Sequence, residues 1–521
     1  VAAGTALSRL TGLVRVGVTA YAIGRATLAD TYNLANTTPN IVYELILGGV
    51  LTATLVPLFV EQMHRSDERS TSAVVTTALT ALVALTVIAT LLAPALAWIY
   101  TLAGSTEQLA DQRAVATLLI RLLIPQILFY GVTALASALL NARRRYVAAA
   151  YAPVLNNLIV ISTFLWFVSA TDGPRSSWIS VESVRGETRL LLLLGLGTTA
   201  GIAIMALALL PALRNAGVHL RPVFDWTHPD VRRLVRLSGW TVGYVIANQI
   251  ALSIVLVMAN HRMGGVAAYQ YAFIFFQLPH GLFAVSIMTT VTPELARCIS
   301  SGDLAGFRSR FATGLRWLSL VVLPAAAAFV VLATPLVGLL ERGGFGAADV
   351  RVTGDTLRAL ALGLPGFSVY LYALRGFYAL SDTRTPFMVN AFENLLNVAL
   401  AIALFPLLGV QGLALAYAIA YTISAGVALR LLGTAVGGLS DGFAAVLGRA
   451  VVAAAVLATT AAAVNGLVSD AGPARALISV ALAGLAGSAA YVLTLRVLGV
   501  HELGSIARSL RAGRGAGAPD V

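Results

Sequence analysis

Along this chain, apolar runs long enough to cross a bilayer alternate with short polar breaks. A helix spanning the hydrocarbon needs about 20 mostly apolar residues. By that measure the pattern predicts helices over 4–27, 30–60, 72–101, 114–141, 147–169, 189–213, 234–260, 266–296, 311–340, 354–380, 386–406, 409–433, 444–467 and 474–499. That makes an all-α polytopic membrane protein with fourteen transmembrane helices. No connection is long enough for a soluble domain. After 504 the text RSLRAGRGAGAPDV reads as a basic, disordered cytoplasmic tail.

The pattern also repeats. Pro39 and Pro279, Pro125 and Pro365, Arg144 and Arg384, and Asn157 and Asn397 all share one offset of 240 residues. Four matches in order point to duplication. The expected organisation is an N-lobe over 1–213, a C-lobe over 214–433, two further helices over 434–503 and the tail. Each repeat holds an even number of spans, so both lobes share one orientation. Parallel repeats of this kind enclose a substrate site and rock about it.

Composition agrees. The 521 residues are 58% hydrophobic and 11% charged, with a mean hydropathy of +0.84, against about 25% charged in soluble domains. The net charge of +12 would suggest nucleic acid in a soluble protein, but here it follows the rule that arginines gather in cytoplasmic loops. Of 35 basic residues, all Arg, 20 fall in the loops and tail expected inside and 10 in those expected outside. Both termini are therefore expected in the cytoplasm. The absence of Lys reads as the habit of a GC-rich genome. A single cysteine, Cys298, leaves no internal disulfide or cysteine-rich metal site. The chain opens at Val1, as expected of a sequence trimmed by a few residues, and its first span carries Arg9 and Arg15, unlike a cleavable signal peptide.

Polar groups within spans are costly and mark function. On the first span Arg9 and Arg15 stand six residues apart, about 9 Å along the axis, and both can reach a cavity between the lobes. The alternative for Arg9 is a side chain that snorkels to the surface. The second span opens ADTYNLANTTPNIVYE, where Asp30, Asn33 and Thr37 form one polar stripe and Asn36, Asn40 and Glu44 another. Pro39 can bend this helix. The alternative is a hydrogen-bonding stripe between helices. Further embedded polar residues are Arg121, Asn156, Asn157, Asn248, Gln249, Gln277, Arg316, Arg375, Glu393, Asn394 and Asn397. For Asn156, Asn157 and Asn397 a packing role is expected. The pair Gly48–Gly49 reads as a close helix contact. No phosphate-cradling loop, zinc spacing or nucleophile–base arrangement appears, so neither an enzyme nor an ATP-driven pump is indicated, and no cofactor or metal is expected.

At SRLTGLVR…ADTYNLANTTPNIVYELILGGVLTATLVPLFVE the chain resembles the MurJ (MviN) family of lipid II flippases. The likeness continues through ALLNARRRYVAAAYAPVLNN, FQLPHGLFAVSIMTTVTPELA, RGFYALSDTRTP and GVQGLALAYAIA, nearly the whole chain in order. The family belongs to the multidrug/oligosaccharidyl-lipid/polysaccharide exporter superfamily. The resemblance implies two six-helix lobes plus two helices in a bacterial cytoplasmic membrane. It also implies alternating-access transport of lipid II, an undecaprenyl diphosphate bearing a disaccharide-pentapeptide, for peptidoglycan and cell-wall biogenesis and cell shape. Expected partners are lipid II, membrane lipids and cell-wall synthesis proteins. The alternatives are export of another polyprenyl-linked glycan, ion-coupled drug antiport, or a non-transporting scaffold. The family's cavity arginines fall on Arg9 and Arg15, and its acidic residue on Asp30. Better-known members also carry a basic pair where this chain has Tyr43 and Glu44, an Arg where it has Ile274 and an acid where it has Gln277. Either other arginines, such as Arg121 or Arg375, meet the diphosphate, or the cargo differs. Asp30 and Glu44 are candidates to bind a proton or sodium ion; the membrane potential is the other candidate energy source.

Overall fold

A computed structural model of the chain describes residues 2–43, 56–64, 67–102, 109–143, 145–171, 181–225, 228–232, 239–439, 443–468 and 472–500. Glu44, Gly48, Gly49, Arg144 and the tail lie outside the described residues. The first helices are α1 (Ala2–Ile23), α2 (Thr27–Tyr43), α3 (Val56–His64), α4 (Glu68–Leu91), α5 (Ala93–Tyr100), α6 (Leu109–Leu123), α7 (Gln126–Ala142), α8 (Tyr146–Ala170), α9 (Val181–Gly186), α10 (Thr188–Leu207) and α11 (Leu209–Asn215). They are followed by α12 (Gly239–Asn260), α13 (Gly265–Pro279), a π-helical turn (His280–Ala284) and α14 (Val285–Ser300). The rest are α15 (Leu304–Gly338), α16 (Ala347–Ala379), α17 (Arg384–Leu408), α18 (Val410–Val436), α19 (Phe443–Val468) and α20 (Pro473–Val497).

Twelve described stretches are long and apolar enough to cross a membrane, and they coincide with the third to fourteenth expected spans. The first two expected spans do not meet that measure. α1 has the length, but Arg9 and Arg15 cost it apolarity. The described part of α2 is 17 residues and carries Asp30, Asn33, Asn36 and Asn40. The described residues thus establish twelve spans of the fourteen expected.

Several spans are not single helices, and proline is the main reason. The ring removes a donor and frees the carbonyl four residues back. The span expected over 114–141 breaks between α6 and α7 at Pro125. Beside that break the Leu122 carbonyl, three residues before Pro125, accepts from the Thr199 hydroxyl of α10 at 2.7 Å. In α15, Pro324 leaves the Leu320 carbonyl without its helical donor, and the Tyr491 hydroxyl of α20 donates to it at 2.8 Å. Pro365, the repeat mate of Pro125, lies inside an unbroken α16. After Pro279 the helix widens into one π-helical turn, closed by the Val285 N–H on the His280 carbonyl.

The chain divides into two compact units, one of residues Val1–Ala267 with Arg342–Gly346, the other of Ala268–Glu341 with Ala347–Val521. In the first, α8 packs on α1 and α10, and α2 lies on α6. In the second, α16 is the central helix, flanked by α15 and α18, while the α19–α20 hairpin lies along α15. Arg358 lies inside α16, which begins at Ala347. Its guanidinium pairs with Asp355 and donates to the Val330 carbonyl (3.1 Å) and the Thr334 hydroxyl (3.2 Å). Asp355 also accepts from Gln411 at 3.4 Å. A charged residue is tolerated among these helices because partners surround it.

Small residues bring α16 onto α18. A Cβ at Gly363 would stand 2.4 Å from the Ala418 Cα, and one at Gly366 would stand 2.6 Å from the Thr422 Cα. Backbone cannot yield as a side chain can, so only glycine allows this approach. Phe273, Phe276, Phe367, Tyr417 and Tyr421 fill the space nearby, with ring centroids 4.4 to 6.1 Å apart. Gly363→Ala is expected to lower stability by about 1–3 kcal/mol through overpacking. Gly426→Ala, where a Cβ meets nothing within 4 Å, is expected to be neutral or slightly stabilising. Thermal unfolding of the detergent-purified protein checks both.

The stretch RGFYALSDTRTP joins α16 to α17 and explains itself as caps. Ser381 adopts a left-handed φ of 60°, and Asp382 N–H turns back to the Phe377 carbonyl at 3.0 Å. The Asp382 carboxylate then accepts from the N–H of Arg384 (2.9 Å) and Thr385 (3.0 Å), opening α17. Burial alone would raise this carboxyl. The Thr385 side chain and N–H, the Arg384 N–H and the Arg384 charge outweigh it and hold the group below its ordinary value. A depressed carboxyl stabilises above its unfolded pKa and loses that contribution as pH falls through the folded one. Asp382→Ala is therefore expected to cost about 1 kcal/mol at neutral pH, and the gap from the parent should close below about pH 4. Unfolding midpoints across pH measure this.

Candidate functional site

The first unit sets the arginine-bearing α1 against α8 by one polar side chain. The Asn157 amide donates to the Ser8 carbonyl (3.1 Å) and the Thr11 hydroxyl (3.0 Å). Those acceptors lie on the turns around Arg9, so Asn157 fixes the rotation and height of the helix at its charged segment. Arg9 is exposed and Arg15 half-buried. Arg15 lies within electrostatic reach of Tyr32 on α2. Tyr32 is itself held by a 2.9 Å hydrogen bond with Thr198 and an edge contact with Phe164 at 5.2 Å. Arg15 thus stays partly accessible, within electrostatic reach of a tyrosine fixed by its neighbours.

The two polar stripes of α2 separate in kind. Asp30 is 1% exposed, and its carboxylate accepts the N–H of Gly264 (2.6 Å) and Ala267 (2.9 Å) at the start of α13. Arg25 donates to the neighbouring Met263 carbonyl at 3.1 Å. A carboxylate is well placed at a helix N-terminus, where backbone donors lack helical partners. Asn33 is buried, and its amide nitrogen finds no partner among the described residues. Asn36 and Asn40 are half-buried, with Asn40 donating back to the Asn36 carbonyl at 3.2 Å.

Of the other expected site residues, Arg121 on α6 is exposed. Gln277 on α13 and Arg375 on α16 are exposed too, and both belong to the second unit. The second unit has its own buried polar row on α17. Asn390, Glu393, Asn394 and Asn397 follow helical spacing and are each at most 7% exposed. Both Glu393 carboxyl oxygens lack a hydrogen-bond partner among the described residues. Sequence reading passed over one more cluster: Gln112 donates to Asn260 (3.1 Å), which donates to the Tyr100 carbonyl (3.0 Å). Both side chains fall at expected span ends, where a polar residue attracts no notice.

A family profile described as lipid II flippase MurJ matches residues 19–481. The chain belongs to the lipid II flippase MurJ family. A probable lipid II flippase MurJ from Rhizobium tropici is 30% identical over 425 residues, 80% of this chain and 77% of that one. The corresponding Haemophilus influenzae protein is 30% identical over 438 residues, 81% of this chain and 82% of its own. In fold, the chain is similar to a solved lipid II flippase MurJ in an inward closed conformation, with a TM-score of 0.75 at 21% identity, covering 95% of this chain and 98% of that one. It is also similar to an inward-facing multidrug resistance MATE family transporter, at a TM-score of 0.68 and 15% identity, over 82% and 94% of the two chains.

Within this MurJ family chain, the geometry divides the acidic and basic residues by task. Asp30 is saturated by backbone donors, while Arg9 projects into open space and Arg15 is partly accessible. Asp30→Asn removes one acceptor and turns an amide donor against a backbone donor, a mismatch of about 1–3 kcal/mol. Hydrogen exchange of the 263–268 amides is expected to accelerate in that variant. Unchanged protection there would show that the carboxylate does not hold the segment.

Proposed function

We propose that this chain carries lipid II from the inner to the outer leaflet of the cytoplasmic membrane by alternating access. The family match over 19–481 supports the cargo. The observation that carries the mechanism is α1, whose Arg9 and Arg15 are held in register by Asn157. A diphosphate cannot enter hydrocarbon unaided, and guanidinium groups supply charge-assisted, paired hydrogen bonds to phosphate oxygens. Arg15 is the deeper of the two and the principal contact; Arg9 receives the head group near the membrane face. Asn36 and Asn40 offer neutral donors and acceptors to the sugar and peptide. The polyprenyl tail stays in the bilayer.

In this reading Asp30 fastens the connection before α13 instead of binding cargo, and opening that segment is part of the transport cycle. Both termini face the cytoplasm, as the two-to-one arginine bias favours. The membrane potential acts on the anionic cargo at about 2.3 kcal/mol per charge per 100 mV. Transport is the whole activity, with no bond made or broken.

The test is a flipping assay with the full chain in vesicles containing lipid II. Arg15→Ala is expected to slow flipping about tenfold or more, the equivalent of one charged hydrogen bond. Arg15→Lys should recover part of the rate. An Arg15→Ala protein flipping at the parent rate would remove Arg15 from the site. Equal transport of an unrelated glycolipid would point to a broader exporter, and no transport at all to a scaffold for wall synthesis.

A further inference from the structure

Within the second unit, the α19–α20 hairpin closes tightly on α15 in its middle and parts from it at one end. The close part is built from Ala450, Ala453, Ala461 and Ala483, packed beside Leu320 and Leu332. α15 then stops at Gly338 and α20 starts at Pro473. Between these ends and the start of α16 lies a cavity of about 340 Å³. Among the described residues its lining carries the cation Arg475 and the anion Glu341, with Thr334, Asn465 and Ser479 further in.

The inner wall is prearranged. Thr334 is held by the Arg358 guanidinium at 3.2 Å. The Ser479 hydroxyl donates to the Asn465 amide oxygen, which leaves the amide nitrogen as the donor there. Ser479 stands six residues into α20, about 9 Å from its start, so the cavity runs from a charged rim at the helix ends to a neutral polar floor. The ends of helices long enough to span a bilayer are expected at its headgroup layer. On the same helix ends, next in sequence to lining residues, Leu467 is 87% exposed, Leu477 59% and Ile478 49%. The volume falls in the lower part of the range for small-ligand sites, roughly 300–1,000 Å³.

We infer that this cavity holds the headgroup of a zwitterionic phospholipid with a primary amine, of the phosphatidylethanolamine class, clamped between α15–α16 and the α19–α20 hairpin. Arg475 takes the phosphate with help from Asn465, and Glu341 takes the ammonium, while Leu467, Leu477 and Ile478 receive the acyl chains. An anionic phosphatidylglycerol head offers Glu341 only neutral hydroxyls, and its net negative charge is repelled there. A choline head brings charge but no N–H to donate. The opposite charges of Arg475 and Glu341 thus favour a head that carries both.

The experiment uses the full chain in detergent, titrated with phosphatidylethanolamine, phosphatidylcholine and phosphatidylglycerol of identical acyl chains, and with free phosphoethanolamine. Native mass spectrometry reads the bound lipid. The parent protein is expected to retain phosphatidylethanolamine about tenfold better than either other lipid, the value of one charged hydrogen bond. Arg475→Gln should weaken that retention about tenfold, and Glu341→Gln should erase the preference over phosphatidylglycerol. Arg262→Gln, exposed and outside the cavity, should leave it intact. Ala476→Leu fills the lined space without changing a charge and should also lose the lipid, which guards against a charge variant that fails to fold. Equal retention of all three lipids by the parent, or a preference surviving both charge variants, overturns the assignment. Displacement by free phosphoethanolamine at lipid-equivalent concentration would overturn its lipid nature.

Discussion

Every backbone N–H and C=O within a bilayer must find its partner inside the protein, since hydrocarbon offers none. Much of this structure answers that demand. Helices satisfy it segment by segment, and the interruptions are where neighbours become essential. When Pro324 strips the Leu320 carbonyl of its helical donor, Tyr491 supplies a hydroxyl from α20. Where α6 stops before Pro125, the Thr199 hydroxyl of α10 reaches the Leu122 carbonyl. These bonds tie the appended hairpin to α15 and α10 to α6, so a local defect in one helix becomes a specific attachment to another.

The same cost governs side chains. Arg358 is tolerated within α16 because Asp355, Thr334 and the Val330 carbonyl surround it. Asp30 is tolerated because two backbone N–H groups meet it. Arg9 and Arg15 are different. Neither has its charge enclosed by such partners, and the structure instead spends Asn157 on holding the helix that carries them. Arg358 and Asp30 thus sit among partners, whereas Arg9 is exposed and Arg15 partly accessible.

Close packing without a hydrophobic driving force needs short distances, and glycine provides them where α16 meets α18 at Gly363 and Gly366. The aromatic side chains of Phe367, Tyr417 and Tyr421 then occupy the space beside that contact. The second unit is organised around a central helix that cannot move independently of its neighbours. The α19–α20 hairpin packs on α15 with alanines, leucines and the Tyr491 hydroxyl, and it leaves a polar cavity where the helices end.

Sequence alone determined the all-helical membrane class, the position of twelve spans and the family, because hydrocarbon thickness imposes a length and apolarity that single helices must meet one by one. It also marked Arg9, Arg15 and Asp30 as exceptional, since charge in a span is rare whatever surrounds it. Tertiary structure alone decided what each exception does. Asp30 finds its partners 234 and 237 residues away, and Asn157 reaches α1 across 149. No local pattern encodes such pairings. The prolines make the same point: Pro125 and Pro365 occupy equivalent places in the repeat, yet one ends a helix and the other lies within one. A proline's missing donor can be read in the sequence, but the group that answers the freed carbonyl comes from whichever helix the fold brings alongside.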